Sequence, residues 1–313
     1  SPSGDGTDGL SAEPRRRWFG HGRTRALLAT GLLIGTGAVA TSAYWTTKKT
    51  VTGTSFTDSK LANGTTYYYV VSMNSGGVES PDSAPVSATP FVNVVTLAHR
   101  YSFSETSGTT VADSVGGSAW NGTLPNGGTL GGGQVQVRAS GSQYINLPAG
   151  ILSSYTAVTI EAWVTFPTTL PNNCFFFGFG NISGTSGSSY IFCQPKSGRL
   201  AITPTNYSAE QNTSPNPSGN WSNQTNLHVT AVFNPPRGQM ALYVNGVLKA
   251  QSASVTTPLS AIKEMFGYIG RSFYSGDPYI DFNLDEFRIY NGAFSASDIA
   301  TTQSLGPDQV ITP

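Results

Sequence analysis

Apolar side chains recur at every second residue through Val158-Thr159-Ile160-Glu161-Ala162-Trp163-Val164-Thr165, and that period constrains the fold more than anything else in the chain. Val158, Ile160, Ala162 and Val164 fall on one face of an extended segment, Glu161 and Trp163 on the other. Leu227, Val229, Ala231 and Phe233 alternate in the same way with His228 and Thr230. Met240-Ala241-Leu242-Tyr243-Val244 runs into Asn245-Gly246, a strong hairpin signal, and returns as Val247-Leu248-Lys249. From Thr96 onward such segments are separated by Gly, Asn, Ser and Pro, which predicts an all-β sandwich. One strand changes phase. Ile280, Phe282 and Leu284 share a face, yet after Asp285-Glu286 the apolar positions become Phe287 and Ile289. A one-residue slip without a turn predicts a β-bulge.

The composition agrees. Only 11% of residues are charged, against ~25% in an average soluble domain. Gly, Ser, Thr and Asn fill the gap, and they build turns and neutral hydrogen-bonding surfaces. The formal net charge is zero, so outside the N-terminus there is no electrostatic footprint for nucleic acid or an acidic membrane. Five Trp, fourteen Tyr and sixteen Phe suit a β-rich core with aromatic rings left over for contacts.

The N-terminal stretch reads as an address. Arg15, Arg16, Arg17, Arg23 and Arg25 precede an apolar run over 26–40, and Thr41-Ser42-Ala43 follow. That is the basic, apolar, small-residue order of a secretory signal, shorter and richer in glycine than the ~20 residues of a membrane span. Residues 1–43 are therefore expected to be a disordered leader and signal peptide, leaving no stable membrane span in a mature extracellular chain. In an exported protein the two cysteines, Cys174 and Cys193, pair as one disulfide pinning the strands 175–179 and 190–192; otherwise they are two buried thiols.

Residues 65–72 are rich in Tyr and Val and lie between the turn signals Asn63-Gly64 and 74–77. With Leu61 and Tyr67 at tyrosine-corner spacing, and Ala84-Pro85-Val86-Ser87-Ala88-Thr89-Pro90 as a last strand, 44–90 resembles the C-terminal part of a fibronectin type III repeat. The first half is missing, so this segment reads as a spacer.

The main domain, 94–301, carries an ordered set of motifs. Leu97-Ala98-His99-Arg100-Tyr101-Ser102-Phe103 leads to Asp113-Ser114 and Asn121-Gly122-Thr123-Leu124. Ile160-Glu161-Ala162-Trp163-Val164 and His228-Val229-Thr230-Ala231 follow, then Tyr268-Ile269-Gly270-Arg271 and Leu284-Asp285-Glu286-Phe287-Arg288-Ile289-Tyr290. This set resembles the bacterial laminin-G-like domains of the concanavalin A-like lectin/glucanase superfamily. The resemblance implies a two-sheet antiparallel jelly roll that binds glycans or extracellular protein partners, with or without calcium. It also implies a short closing helix near 291–299, with Ser295 capping and Asp298 in the first turn. Residues 302–313 are expected to be a disordered tail.

Catalysis is disfavoured. Glycoside hydrolysis needs two carboxylates ~5–9.5 Å apart, whereas Glu161 has Trp163 where a second acid belongs and Asp285 and Glu286 are adjacent. Glu161 reads as an exposed or loop-bonded strand residue, and the three histidines as structural. A calcium site would need one acid of the last strand, such as Asp285, together with loop ligands such as Asp113 or Asn121 from the first strand's end; the alternative is a solvated strand face. Acids four apart on one strand, such as Asp277, Asp281 and Asp285, stand ~13 Å apart and cannot share an ion. Sugar binding needs aromatic platforms beside hydroxyl and amide groups. The candidates are Tyr207 and Trp221 in an Asn/Ser-rich insert over 206–226, Tyr274 and Tyr279 near Asp277, and Trp163 on a sheet face. The expectation is a secreted, non-catalytic carbohydrate-binding or adhesion module. A structural spacer is the alternative, and a glycosidase trails both.

Overall fold

The computed structural model describes residues 16–17, 25–29, 61–62, 65–75, 78–88, 94–213 and 219–311. The chain divides into two units, 1–92 and 93–313. In the first, β1 (Arg16–Arg17), β2 (Arg25–Ala29), β3 (Tyr67–Ser75) and β4 (Val78–Glu79) follow one another across a single sheet, with β5 (Val86–Ala88) paired to β3. The Tyr67 hydroxyl accepts a hydrogen bond of 3.0 Å from the Ala62 N–H. Apart from β1 and β2, the leader and the expected signal segment lie outside the described residues.

The second unit begins with β6 (Thr96–Tyr101), β7 (Thr110–Val111), β8 (Gly122–Thr123), β9 (Thr129–Gly131), β10 (Gln134–Val137) and β11 (Ile145–Leu147). It continues with β12 (Val158–Phe166), β13 (Phe177–Ser183), β14 (Ser186–Gln194), β15 (Arg199–Thr203) and β16 (Gln211–Asn212). It closes with β17 (Gln224–Asn234), β18 (Gln239–Val244), β19 (Val247–Ser252), β20 (Phe266–Ile269), β21 (Phe282–Asn291) and one helix, α1 (Ala296–Leu305). The first sheet runs β19-β18-β17-β12-β21-β10-β9, with β6 also paired to β21; the second runs β16-β15-β14-β13-β20-β11-β8-β7. All pairings are antiparallel, the arrangement of a two-sheet sandwich.

Period-two alternation puts the core between the sheets. Val158, Ile160, Ala162 and Val164 from β12 and Leu227, Val229, Ala231 and Phe233 from β17 join Phe177, Phe179, Ile191, Leu200 and Ile202 from the second sheet in one buried cluster. Asn245 and Gly246, at φ 51° and 71°, turn β18 into β19 with Val244 opposite Val247. The left-handed conformation at both positions is what an Asn-Gly pair supplies. On β21 the register slips where the sequence changes phase: Trp163 faces Glu286, but Val164 faces Leu284. Asp285 is the extra residue, and Phe282, Leu284, Phe287 and Ile289 all reach the core.

The opposite face of β12 departs from expectation. Glu161, read from sequence as an exposed or loop-bonded residue, is fully buried. Glu161 Oε1 lies 2.8 Å from His228 Nε2, and Glu161 Oε2 accepts from Arg288 Nη1 at 3.2 Å and from the Tyr290 hydroxyl at 3.1 Å. Arg288 Nε donates to Glu286 at 2.7 Å, and Arg100 Nε donates to the same carboxylate at 2.5 Å. Burial alone would lower the Arg288 pKa; Glu286, Tyr290 and Glu161 around it raise it instead. The reason this face is dry lies beyond β21. Ser295 and Asp298 form a capping box that starts α1, and the helix runs to Leu305, well past the short closing turn expected. Ile299 then packs with Val95, Val232, Tyr290 and Phe294 over the sheet. Residues 302–311, expected as a disordered tail, continue the cover: the Pro307 carbonyl accepts from Arg288 Nη2 and from Arg100 Nη2, and Ile311 packs against the same cluster. Buried guanidinium donors need acceptors, and the C-terminal segment supplies one.

A second buried carboxylate is less well served. Glu264 Oε2 accepts from the Leu152 N–H at 2.8 Å, while Oε1 is buried without a partner. Burial pushes its pKa up to about 7, against hydrogen bonds from Leu152, Ser153 and Ile151 that act to lower it.

Two predictions follow from these acids. Glu161→Ala leaves Arg288 buried with one carboxylate fewer and is expected to cost about 3–5 kcal/mol in urea unfolding. Because Glu264 binds its proton more tightly folded than unfolded, its own contribution to stability should be greatest below the ordinary carboxylate range and be lost as pH rises toward 7. Glu264→Gln removes that slope. It should therefore gain up to about 3 kcal/mol on the native chain between pH 5 and pH 8, read as a pH series of thermal midpoints.

Candidate functional site

The second sheet also has an outward face, and its sequence makes that face aromatic. On β14, Ile191 and Cys193 point into the core, so Tyr190 and Phe192 point away from it. On β13, Phe177 and Phe179 take the core positions and Gly178 and Gly180 the outer ones. The glycines leave a trough across the sheet. A Cβ on Gly178 would stand 2.8 Å from the ring of Phe273, and one on Gly187 would stand 2.7 Å from the ring of Tyr190. Phe175 stacks on Phe192 at 4.1 Å, and Phe273 lies nearly parallel to Tyr190 at 5.8 Å. The segment 271–280 folds over this layer, tied by the Ser275 N–H to the Thr185 carbonyl at 3.0 Å and within itself by Asp277 N–H to the Tyr274 carbonyl at 3.1 Å.

Two depressions remain beside that segment. One of about 260 Å³ is lined by Phe175, Phe192, Arg199, Tyr207, Tyr274 and Asp277, with Asn173, Gln194 and Glu210. The other, about 200 Å³, is lined by Thr185, Arg271, Ser272, Tyr274, Asp277 and Tyr279 among others. They share Tyr274 and Asp277 as a common wall. The polar groups are braced. Tyr190 Oη donates to Glu210 Oε1 at 2.7 Å and stands 2.7 Å from the Tyr274 hydroxyl, which therefore donates to it. Arg199 donates to Glu210 Oε2 at 2.6 Å and lies 4.8 Å from the centroid of Phe192. Ser272 donates to Asp277 Oδ2 at 2.6 Å; burial raises the Asp277 pKa and this bond opposes the rise.

The structure separates the sequence candidates. Tyr207, Tyr274 and Tyr279 come together on this groove, Tyr207 with 66% of its surface exposed. Trp221 does not stand on a loop rim; it is buried in the core beside Phe166. Trp163 offers no platform either, because His228 stacks on it at 4.4 Å and the Arg288 guanidinium sits 4.7 Å from its ring. Those two belong to strands on opposite sides of β12, so both faces of the indole are taken.

Asp113 and Asn121 are neighbours: Asn121 Oδ1 accepts from the Asp113 N–H at 2.9 Å. Asp113, however, spends its carboxylate on His99 at 2.6 Å and on the N–H groups of Arg100, Val115 and Gly116. Burial would raise its pKa, but these bonds outweigh it and hold the pKa below the usual value. Asp285 lies on the bulge, lining a different cavity with Trp163, Asn283 and Pro307. Among the described residues no group of three His, Cys, Asp or Glu side chains is placed to hold a metal ion. Cys174 and Cys193 form no bridge; both are free thiols within the core. Burial pushes the Cys174 thiol up to about 12, and burial, with Cys174 beside it, holds the Cys193 thiol well above its ordinary value. Among the described residues no helix is long and apolar enough to cross a membrane.

Sequence reasoning missed Phe175, Phe192, Arg199 and Glu210. The signal available was the Phe-Gly-Phe-Gly run over 177–180 beside Tyr190-Ile191-Phe192, where one strand yields space on the face that its neighbour fills with rings.

Fold and groove define a concanavalin A-like sandwich with an aromatic outer face. The chain belongs to the concanavalin A-like lectin/glucanases superfamily, whose laminin-G-type family model matches residues 139–300. No curated protein matches the sequence. Among solved structures, domain 4 of AbnA, a GH43 extracellular arabinanase from Geobacillus stearothermophilus in complex with arabinotriose, is 20% identical over 66% of this chain and 98% of its own, with a TM-score of 0.48. The binding domain of botulinum neurotoxin DC in complex with rat synaptotagmin II is 15% identical over 67% of this chain and 51% of its own, with a TM-score of 0.47. A Trypanosoma rangeli sialidase is 15% identical over 76% of this chain and 42% of its own, with a TM-score of 0.48. The chain thus spans about half the neurotoxin binding domain and less than half of the sialidase.

Gly178→Ala tests how the groove is built. The added methyl meets Phe273 and should lift 271–280 from the sheet, costing about 1–3 kcal/mol in thermal or urea unfolding and speeding proteolysis within that segment. Unchanged stability and protection would show that the glycine is not what seats the ring.

Proposed function

We propose that this chain is a secreted, non-catalytic glycan-binding module that seats its ligand along the groove on the outer face of the second sheet. The observation that carries this reading is the pair of adjoining depressions sharing Tyr274 and Asp277. At about 200 and 260 Å³, each falls below the ~300–1,000 Å³ of a pocket for a whole small molecule. Two such spaces side by side suit successive units of a chain. Each offers what a sugar ring needs, an aromatic surface for its C–H face with hydroxyl, amide and charged groups at the edge for its own hydroxyls.

The acids of the groove favour binding over hydrolysis. Glycosidases keep one carboxyl protonated and another free to attack or to activate water. Here both Glu210 oxygens are committed, one to Tyr190 and one to Arg199, which leaves Asp277 as the acid facing the ligand. Glu161 and Glu286 are likewise bound to Arg288 beneath the C-terminal segment.

A glycan array probed with and without EDTA tests the reading, followed by titration of Tyr274→Ala against the best ligand. Binding is expected to survive EDTA. Loss of the Tyr274 ring should weaken it roughly tenfold, the order of one aromatic contact, with the thermal midpoint of the variant as a check on folding. An empty array would point to a structural spacer. Binding abolished by EDTA would show that a metal ion takes part and would overturn the metal-free reading of the groove.

A further inference from the structure

We infer that the glycan seated in this groove carries a carboxylate and that Arg271 receives it. The inference rests on the glycan reading above and narrows it to acidic sugars. Arg271 stands two residues past the end of β20 and lines the smaller depression. Its guanidinium carbon stands 4.8 Å from the ring centroid of Tyr144 and 4.6 Å from that of Tyr268. The two rings meet edge to face at 86°, so the cation is lodged in a corner of two aromatic surfaces. Nη1 donates to the Tyr144 hydroxyl at 2.9 Å.

The contrast with four other arginines of the sandwich is informative. Arg100 and Arg288 are paired with Glu286 and Arg199 with Glu210, while Arg138 spends its donors on the Val137 and Phe282 carbonyls and on Gln136 Oε1. Arg271 has no carboxylate partner among the described residues. A guanidinium carries five N–H donors in a planar fork, and here one of them is used. Aromatic stacking fixes the side chain without consuming that fork. The result is a preoriented, charged donor set that opens on a cavity and lacks the acceptor it fits best. A carboxylate meets the fork with two parallel bonds, geometry that a neutral hydroxyl cannot reproduce.

The rest of the cavity sets the direction in which such a ligand lies. Asp277 lines the same depression as Arg271, at the wall shared with the larger one, where Ser272 holds its Oδ2 and its carboxylate offers an acceptor for sugar hydroxyls. A sugar acid therefore enters with its carboxylate at Arg271 and its hydroxyls toward Asp277, Ser275 and Thr185.

Matched probes test this by calorimetry: trigalacturonate against its methyl ester, and sialyllactose against lactose, each with the native chain, Arg271→Gln and Arg271→Lys. The native chain should bind at least one acid roughly ten- to a hundredfold more tightly than its neutral partner, the range of a charge-assisted contact, with the advantage shrinking as salt is raised. Arg271→Gln should erase the difference between each acid and its neutral partner, whatever it does to the affinity of either. Arg271→Lys, which retains charge without the fork, should keep only part of that difference and carries the test should the glutamine variant unfold. Equal affinity for acid and neutral probes, or a preference that survives Arg271→Gln, overturns the inference. If the neutral probes bind and Tyr274→Ala weakens them, the groove stands and only the acid specificity falls; if none of the four binds, both fall.

Discussion

A sheet has two faces, and along the central strands of this sandwich neither face of either sheet is left to water. Every residue of β12 from Val158 to Val164 is buried. The inner faces meet each other, so each outer face needs a cover of its own, and the two are covered by opposite means. The first sheet lays charges outward and neutralises them in place, with Arg288 held by Glu161, Glu286 and the Pro307 carbonyl under α1 and the segment after it. The second sheet lays rings outward and covers them with 271–280. The charged side is covered over Arg288 itself, because an unpaired buried ion is costly, and it opens only beside that cluster, in the cavity lined by Trp163, Asp285 and Pro307. The aromatic side has no such penalty, and its cover is incomplete. The groove is the part left open.

This difference explains how the polar groups at the two faces behave. Beneath the C-terminal segment, carboxylates and guanidinium groups satisfy one another and serve stability. At the groove, the same residue types brace rings: Glu210 fixes Tyr190 and Arg199, and through the Tyr190 hydroxyl it fixes Tyr274. A recognition surface gains from such bracing because side chains already held in place lose little entropy when a ligand arrives.

Much of the framework was legible in the residues. Alternation placed β12, β17 and β18, Asn245-Gly246 placed a hairpin, the phase change at Asp285 placed the bulge, and Ser295 with Asp298 placed the start of α1. The groove was legible in part, since Tyr207, Tyr274 and Tyr279 stood out as loop aromatics. Trp221 stood out for the same reason and is in the core: composition marks a residue as aromatic, while its burial depends on Phe166, far away in sequence. The ionic cluster was hidden for a related cause. Glu161, His228 and Arg288 are 67 and 127 residues apart and meet only as neighbours across strands, and nothing in an alternating strand tells whether a later helix will cover its second face. Arg271 escaped notice because its distinction is a missing partner, and a partner's absence is visible only once Tyr144 and Tyr268 are in place around it.

The extra residue at Asp285 bears on how this module tolerates change in length. β12 occupies one edge of β21, and the other edge is divided between β10, over Phe282 to Leu284, and β6, over Phe287 to Asn291. The bulge sits at that junction. Pairing without the bulge would turn Arg288 and Tyr290 toward the sandwich interior and Phe287 and Ile289 toward the helix, whereas deleting Asp285 itself would leave a regular strand with every face kept. Elsewhere along β21 a change of one residue has no such outlet, since the segments paired to β10 and to β6 must each keep their own parity.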